Sequence, residues 1–293
     1  MAAFKRIGVL GHPMRPATAP VAERIAGYLQ SRGAEAWCCG QWDDPQITDQ
    51  VRDSDMVIAI GGDGSMLRAS RVCARYGVPV LGVNMGHLGF LTEISEAEDW
   101  KQALGSVLRG DYWIEARMMI HAALLRAGLV LAEGDALNDV VISRQAATHM
   151  VLLETYIDKD WATTYNADAL IIATATGSTA YALACGGPIL PPELRNILIV
   201  PVAPHLSMDR PIVLAEGATV EVVAAADNTA AIVLSLDGVL AGQVQPGDTI
   251  RIQASDSVSR FVRLRERNYF YRSLLDRLEP RLPVRAEPER KQI

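Results

Sequence analysis

An apolar strand that ends in a glycine turn, at residues 56–64, constrains the fold of this 293-residue chain more than any other feature. The run Met56–Ile60 is continuously apolar, which is typical of a strand buried on both faces of a parallel sheet. Gly61-Gly62-Asp63-Gly64 comes next, and residues 65–76 have apolar side chains at helical spacing. The order strand, glycine turn, helix predicts one unit of an open parallel sheet, where ligands bind at the carboxyl ends of the strands.

The glycine turn predicts a phosphate site that carries one carboxylate. Gly61, Gly62 and Gly64 have no Cβ, so a phosphate can approach the backbone closely, and the N–H groups at a helix start favour anions. Asp63 would repel a phosphate unless a metal ion lies between them, or unless the carboxylate accepts a proton from a nucleophilic hydroxyl. An aspartate in a tight turn can also serve only to bond its own backbone, and the turn alone leaves these roles open.

Strand-like and helical segments alternate along the first part of the chain and predict an N-terminal α/β domain with an open parallel sheet over residues 1–115. From residue 116 the pattern changes to many short strands with few helices, which predicts an all-β domain over 116–265. An amphipathic segment at 266–280 predicts a last helix that completes the first domain, and 281–293 is expected to be a flexible tail.

Composition excludes several classes of protein. A hydrophobic content of 49% and a charged content of 21% predict a sizeable core rather than disorder. The net charge of −6 argues against nucleic-acid binding, and the apolar runs are too short to span a membrane. The N-terminus leads directly into a strand-like segment, so we expect no signal peptide, a cytoplasmic location and reduced, buried cysteines.

The scarcity of lysine limits how this chain can bind phosphate. No lysine follows glycine and precedes Ser or Thr, which excludes a Walker-type loop. No G-x-G-x-x-G sequence follows a strand, so the usual dinucleotide fingerprint is missing too. Phosphate would have to be bound by glycine backbone, a metal ion and arginine. The arginines near the end of the β-rich part are predicted to form a solvated strand face: Arg260, Arg263, Arg265 and Arg267.

Three further polar segments adjoin strand-like runs: residues 84–93, the pair Asn138-Asp139, and residues 174–181 with Asp168 ahead of them. Each has an ordinary structural explanation, namely a wide turn, a turn before a strand, and a helix cap. Each also has a functional one. Asn and Asp can bond the edge of an adenine ring, small residues let a base or ribose lie against the backbone, and Asp168 can hold a ribose or an amide.

Taken together, these segments resemble the NAD kinase family in order and spacing over nearly the whole chain. The matching segments are Gly61 to Gly64, 84–93, Asn138-Asp139, 176–181 with Gly186-Gly187-Pro188, and Pro204-His205 with Arg210-Pro211. Each segment is weak alone, whereas the ordered set is specific.

This resemblance implies an enzyme that transfers the γ-phosphate of ATP to the 2′-hydroxyl of the adenosine ribose of NAD, forming NADP. It implies a site between the two domains, Mg²⁺ held mainly by phosphates rather than by protein ligands, and a homo-oligomer, either a dimer or a tetramer. By the same resemblance Asp63 is the proton acceptor. The residues implied to contact NAD or ATP are Gly61, Gly62, Asp63, Gly64, Asn84, Phe90, Asn138, Asp139, Asn166, Asp168, Ser178, Thr179, Ala180 and Tyr181.

The chain departs from the family pattern at two positions that bear on substrate binding. Val239 follows Asp237-Gly238 where the family usually has glutamine, and Asn166 stands where many members have Arg or Lys. Two alternatives therefore stay open: a non-catalytic dinucleotide-binding sensor, and a lipid or sugar kinase with the same glycine turn. The intact turn weighs against the sensor, and a lipid or sugar pocket gives no reason for the pair Asn138-Asp139.

Overall fold

A computed structural model of the chain describes residues 4–40, 45–85, 89–95, 100–146 and 149–278. Two segments named above, the predicted tail at 281–293 and residues 86–88 of the second glycine segment, lie outside the described residues. Within the described ranges, no helix is long and apolar enough to cross a membrane.

The first part of the chain forms a parallel α/β layer. Its strands are β1 (Arg6–Leu10), β2 (Glu35–Cys39), β3 (Met56–Ile60), β4 (Val80–Asn84) and β5 (Ile94–Ser95). Its helices are α1 (Thr18–Ser31), α2 (Pro45–Arg52), α3 (Asp63–Ala74) and α4 (Trp100–Arg109). The strands lie parallel in the order β2-β1-β3-β4-β5. Buried apolar side chains of α1 and α4 cover one face of this layer, and those of α2 and α3 cover the other.

The rest of the chain is almost entirely strand. Its strands are β6 (Trp113–Arg126), β7 (Leu129–Ala136), β8 (Asp139–Arg144), β9 (Val151–Ile157), β10 (Asp160–Ala167), β11 (Ala169–Thr174), β12 (Asn196–Val202), β13 (Ile212–Ala215), β14 (Val220–Ala224), β15 (Ile232–Leu236), β16 (Val239–Val244) and β17 (Thr249–Arg263). A short 3₁₀ turn (Gly177–Thr179) and α5 (Tyr181–Ala184) interrupt the strands, and α6 (Tyr269–Leu278) ends the described chain.

Two packed sheets organise this β-rich part. The smaller sheet is antiparallel, with the order β13-β12-β11-β8-β15-β16. The larger sheet has the order β10-β9-β14-β17-β4-β3-β1-β2, with β6 beside β17 and β7 beside β6. Alternate apolar residues from both sheets meet in one buried core, so the sheets pack face to face as in a sandwich.

Strand β17 joins the α/β layer to the β-rich part. Its early residues pair antiparallel with β14, and its last residues lie parallel to β4 through the pair Phe261 and Val80. The sequence pattern predicts two strands here, at 249–253 and 258–263, whereas the structure has one strand of 15 residues with an irregular register against β6. The two parts of the chain therefore share a continuous sheet.

Two predictions about individual side chains are wrong. Arg263, expected on a solvated strand face, is 0% exposed and pairs with Glu93 and Glu115, because the end of β17 pairs with β6 and contacts the segment that follows β4. Cys38, expected to be buried, is exposed on β2, the edge strand of the sheet, and Cys73 alone among the four free cysteines is fully buried. Residue alternation predicted the strands but not what covers them.

Candidate active site

A cleft of about 150 Å³ lies where the glycine turn of the α/β layer meets the β-rich part. Residues from both parts line it: Asp63, Phe90, Leu91, Arg117, Asn138, Thr176, Thr179, Ala180, Pro192 and Phe270. A more open cavity of about 470 Å³ adjoins the cleft, since Asn138 and Ala180 line both, and Asp139, Tyr181 and Asp237 also line this second cavity. The structure thus brings together the glycine turn and the three further polar segments that the sequence singled out.

Asp63 is held in the cleft by two backbone hydrogen bonds from another loop. Its Oδ2 accepts the N–H of Phe90 at 2.8 Å, and its Oδ1 accepts the N–H of Leu91 at 3.0 Å. Each carboxylate oxygen has two lone pairs, so one on each oxygen remains for a ligand. Helix α3 begins at Asp63 itself rather than at residue 65, which places the carboxylate in the first turn, where the helix dipole stabilises negative charge.

Gly89 lets this loop approach the carboxylate. A Cβ at Gly89 would lie 1.9 Å from Oδ1 of Asp63, so any side chain there would displace one or the other. At Gly62 and Gly64 the space that a Cβ would fill is open, which leaves the backbone of the turn approachable. Asn84, the last residue of β4, is buried. The two glycine segments predicted from the sequence therefore meet around one carboxylate.

A second carboxylate, Asp237, organises the opposite wall from inside the protein. It lies in the turn between β15 and β16 with a left-handed backbone (φ 47°), and its side chain is 0% exposed. It accepts the backbone N–H groups of Leu137 at 2.9 Å, Asn138 at 2.7 Å and Asp139 at 3.2 Å. Asp237 thereby fixes the backbone of Asn138, which lines both cavities, and of Asp139, which lines the second.

Arg71 connects this wall to the glycine turn. Its Nη2 donates to the carbonyl oxygen of Leu236 at 3.0 Å and lies 3.6 Å from Oδ2 of Asp237. Arg71 belongs to α3, the helix that begins at Asp63. One helix therefore carries the carboxylate of the first wall and a guanidinium that contacts the second.

Asp139 and Asp237 form a buried pair of carboxyl groups, and each has its pKa raised above the ordinary value. Burial raises the pKa of Asp139 to about 7, and repulsion from the Asp237 carboxylate contributes to this rise. Burial raises the pKa of Asp237 as well, whereas its three backbone hydrogen bonds and Arg71 oppose that change. These groups stabilise the ionised form of Asp237.

The segment 174–181 reaches the cleft by close packing against the Asn138 backbone. A Cβ at Gly177 would lie 2.0 Å from the carbonyl oxygen of Asn138, so this crossing requires glycine. Ser178 is 0% exposed, and its hydroxyl donates to the Ala175 carbonyl at 2.7 Å and accepts the N–H of Leu190 at 3.0 Å. Ser178 therefore builds the turn, while its neighbours Thr179 and Ala180 line the cleft.

Three further predicted residues do not line the cleft that contains Asp63: Tyr181, Asp168 and Asn166. Tyr181 is 46% exposed and lines the second cavity. Asp168 accepts a hydrogen bond from Arg144 at 2.8 Å and lies close enough to Tyr181 to affect its titration. Asn166 lines neither cavity, and its carbonyl oxygen accepts the N–H of His205. The structure thus places Asp168 beside the site and Asn166 away from both cavities.

Comparison with known proteins decides the family. Family models described as the ATP-NAD kinase N-terminal domain and the ATP-NAD kinase C-terminal domain match residues 17–112 and 137–264. An NAD kinase from Dehalococcoides mccartyi is 35% identical over 277 residues, which is 94% of this chain and 96% of that protein. An NAD kinase from Chloroflexus aurantiacus is 39% identical over 278 residues, covering 94% and 99%. This chain belongs to the NAD kinase family.

Solved structures confirm the fold expected of an NAD kinase. Yeast NADH kinase complexed with NADH matches with a TM-score of 0.82 at 22% identity, over 95% of this chain and 88% of that one. An NAD kinase from Archaeoglobus fulgidus in complex with ATP matches with a TM-score of 0.72 at 23% identity, over 92% and 97%. An open parallel α/β layer with a β-rich second part is common to all three.

Three cleft residues of this NAD kinase were missed from the sequence: Arg117, Pro192 and Phe270. The one available signal was the spacing of Glu115 and Arg117. Two opposite charges two residues apart lie on the same face of a strand, and they stand at the start of an otherwise apolar β6. Phe270 belongs to the predicted last helix, but the helical spacing of apolar residues does not distinguish a side chain that lines a cleft from one that packs in a core.

The cleft offers one carboxylate to a metal ion. Among the described residues, no group of three or more His, Cys, Asp or Glu side chains is placed to hold a metal. Asp63 is the carboxylate that lines the first cavity. Mg²⁺ usually keeps several waters and binds through one or two carboxylates plus substrate phosphates, and a single carboxylate with free lone pairs fits that pattern.

Proposed function

We propose that this NAD kinase transfers the γ-phosphate of ATP to the 2′-hydroxyl of the adenosine ribose of NAD, with Asp63 as the residue that orients the hydroxyl and accepts its proton. The observation that carries the proposal is the geometry of Asp63. Backbone N–H groups of Phe90 and Leu91 fix both carboxylate oxygens between the glycine turn and the Asn138 wall.

In this proposal the two walls bind different parts of the substrates. The donor phosphates lie over the glycine turn, where the backbone at Gly62 and Gly64 is approachable and helix α3 presents its N-terminus. The dinucleotide lies along the opposite wall, against Asn138 and the small residues of 177–181. Asp139, Asp168 and Tyr181 belong to the same binding surface in the second cavity or beside it.

The protein contributes to this reaction mainly by positioning the substrates. Phosphoryl transfer proceeds through a loose transition state, so orientation and charge neutralisation supply most of the catalysis. An ordinary aspartate has a pKa of about 3.9 and is a weak base for a ribose hydroxyl. Asp63 therefore orients the hydroxyl through a remaining lone pair and takes the proton late, as the new O–P bond forms.

Metal dependence, assembly and location complete the proposal. Mg²⁺, held mainly by the substrate phosphates and with Asp63 as its protein carboxylate, would neutralise phosphate charge when bound.

A homo-oligomer, dimer or tetramer, is supported by the exposed apolar side chains Leu129, Val130 and Leu131 on β7. Sedimentation of the purified protein measures that assembly, and cell fractionation tests the cytoplasmic location.

A coupled assay tests the function. Purified protein is incubated with NAD, ATP and Mg²⁺, and NADP is read with a dehydrogenase specific for NADP. We expect NADP to form only when all three are present. Tight NAD binding without NADP would instead indicate the dinucleotide sensor, and phosphorylation of a lipid or sugar in place of NAD would indicate the other kinase class. Parallel reactions with NADH and with polyphosphate define the acceptor and donor range.

A further inference from the structure

Arg117 is a buried arginine whose guanidinium lies in the wall of the cleft that contains Asp63. Its side chain is 4% exposed. Nε and Nη2 donate to Oε2 of Glu115 at 3.1 and 2.9 Å, and Nη2 also donates to the hydroxyl of Tyr269 at 2.5 Å. The Tyr269 hydroxyl in turn donates to Glu115 at 3.0 Å. Arg117 is therefore held rigidly on one side.

On its Nη1 side, the guanidinium has hydrogen-bonding capacity that its neighbours among the described residues do not satisfy. A guanidinium has five N–H donors in a fixed plane. Glu115 and Tyr269 accept three of them, and Nη1 donates one to Oγ1 of Thr176 over a long distance of 3.4 Å. The second N–H of Nη1 has no acceptor among the residues that the structure describes. Thr176 lines the cleft, so Nη1 is the end of Arg117 that lies toward it.

Arg117 belongs to a buried cluster of charged side chains. Within the part of the chain that the structure describes, ion pairs connect three arginines and two glutamates in this cluster: Arg117, Arg263, Arg265, Glu93 and Glu115. Burial alone would raise the pKa of Glu93 and of Glu115, but the neighbouring arginines lower both below the ordinary value, so both are ionised. The guanidinium of Arg117 places a positive charge in the wall of the cleft, and the attraction of such a charge for an anion is strong where water is excluded.

We propose that Arg117 is a phosphate-binding residue of this site, an inference that rests on the proposed function. Nη1 donates to a phosphate oxygen of a substrate bound beside Asp63, while Glu115 and Tyr269 hold the rest of the guanidinium. The phosphate belongs to the phosphoryl group in transfer, to the diphosphate of the dinucleotide or to the donor. Each source predicts a different kinetic change.

The test compares the same substitution at two arginines of one strand. Arg117→Lys keeps a positive charge for Glu115 but replaces the planar fork with a single ammonium, which cannot hold Glu115 and reach the cleft together. Arg126→Lys is the matched control, because Arg126 also lies on β6 and makes a two-pronged ion pair, with Asp248, away from both cavities. For each variant we measure kcat, the KM for NAD, the KM for ATP, NADP binding by calorimetry and the melting temperature.

We expect Arg117→Lys to lower kcat/KM by about 10- to 100-fold, the range for one charge-assisted hydrogen bond, and Arg126→Lys to leave it unchanged. A loss confined to kcat indicates the phosphoryl group in transfer. A raised KM for NAD with weaker NADP binding indicates the dinucleotide diphosphate, and a raised KM for ATP indicates the donor.

The proposal is overturned if Arg117→Lys lowers only the melting temperature, or if both variants lose activity equally, since either result means that the ion pair is structural. If Arg117→Lys does not fold, Arg117→Gln combined with Glu115→Gln removes both charges of the pair, and wild-type kinetics in that variant would overturn the proposal. Turnover of NAD by the unmodified chain tests the proposed function separately, so the two ideas can fail independently.

Discussion

Two aspartates, each followed by glycine in a turn, hold the two walls of the cleft in different ways. Asp63 accepts two backbone N–H groups from a neighbouring loop and lines the cleft. Asp237 has a side chain that is 0% exposed, and it accepts three backbone N–H groups from the opposite wall. Asp63 thus keeps lone pairs for a ligand, whereas the carboxylate oxygens of Asp237 accept hydrogen bonds from the protein backbone.

The comparison separates two roles that look alike in the sequence. In the proposed mechanism the carboxylate that lies in the cleft acts on the substrate, so its loss should affect the rate more than the fold. A carboxylate that organises buried backbone acts on the fold, so its loss should affect stability first and binding second. Four substitutions test this division, in order of the expected effect.

The largest effect is expected for Asp63→Asn. The amide keeps the size of the side chain but cannot accept the proton, so the rate of NADP formation should fall by about 100-fold or more, the scale of general-base catalysis. The melting temperature should stay within a few degrees of the wild-type value, because one amide oxygen still accepts a backbone N–H. Turnover near the wild-type rate would remove Asp63 from the mechanism.

Gly177→Ala tests the packing of the Asn138 wall without touching a carboxylate. A Cβ there would lie 2.0 Å from the Asn138 carbonyl oxygen, and backbone on both sides cannot move freely. We expect a loss of about 2 kcal/mol in the free energy of unfolding, typical of overpacking, together with weaker NAD binding. Gly217→Ala is the control, since a Cβ at Gly217 meets nothing within 4 Å. Equal urea midpoints for the two variants would contradict the expected clash.

The sequence predicted the parts of this site that depend on local pattern. Met56–Ile60 and the glycine turn were identified because an apolar run and glycines specify a buried strand and a tight turn on their own. Asn138 and the segment after Leu170 were identified because polar residues adjoin apolar strands, and the resemblance to a family joined them into one site.

The sequence could not predict contacts between residues far apart in the chain. Asp237 bonds the N–H of Leu137, 100 residues earlier, and Tyr269 bonds Arg117 across 152 residues. Alternation along β17 places Arg263 on a face but does not tell whether water or Glu93 and Glu115 cover that face. Such roles depend on tertiary packing, which local propensity does not contain.

Asp237→Asn should have a smaller effect than the clash at Gly177. The amide nitrogen would face either a backbone N–H or Arg71, so one buried donor loses its acceptor, at a cost of about 1–2 kcal/mol in the free energy of unfolding. Asn tolerates the left-handed backbone, so the turn itself is kept. Asp158→Asn is the matched control, because Asp158 also has a left-handed backbone (φ 52°) and accepts the N–H of Thr219, but at an exposed site. Urea unfolding of both variants measures the difference, and equal losses would show that burial of Asp237 has no consequence.

Over a single pH unit, the smallest expected effect is the change in the free energy of unfolding that Asp139 contributes. Its pKa is about 7 in the folded protein and 3.8 ordinarily, so between these values the folded chain binds the proton more tightly than the unfolded chain does. Raising the pH through this range therefore costs stability, by at most about 1.4 kcal/mol per pH unit. Asp139→Asn binds no proton, so its free energy of unfolding relative to wild type should rise as the pH increases from 5 to 7 and level off above pH 7. Parallel curves for the two proteins across that range would mean that Asp139 stays ionised and that the buried pair holds no proton.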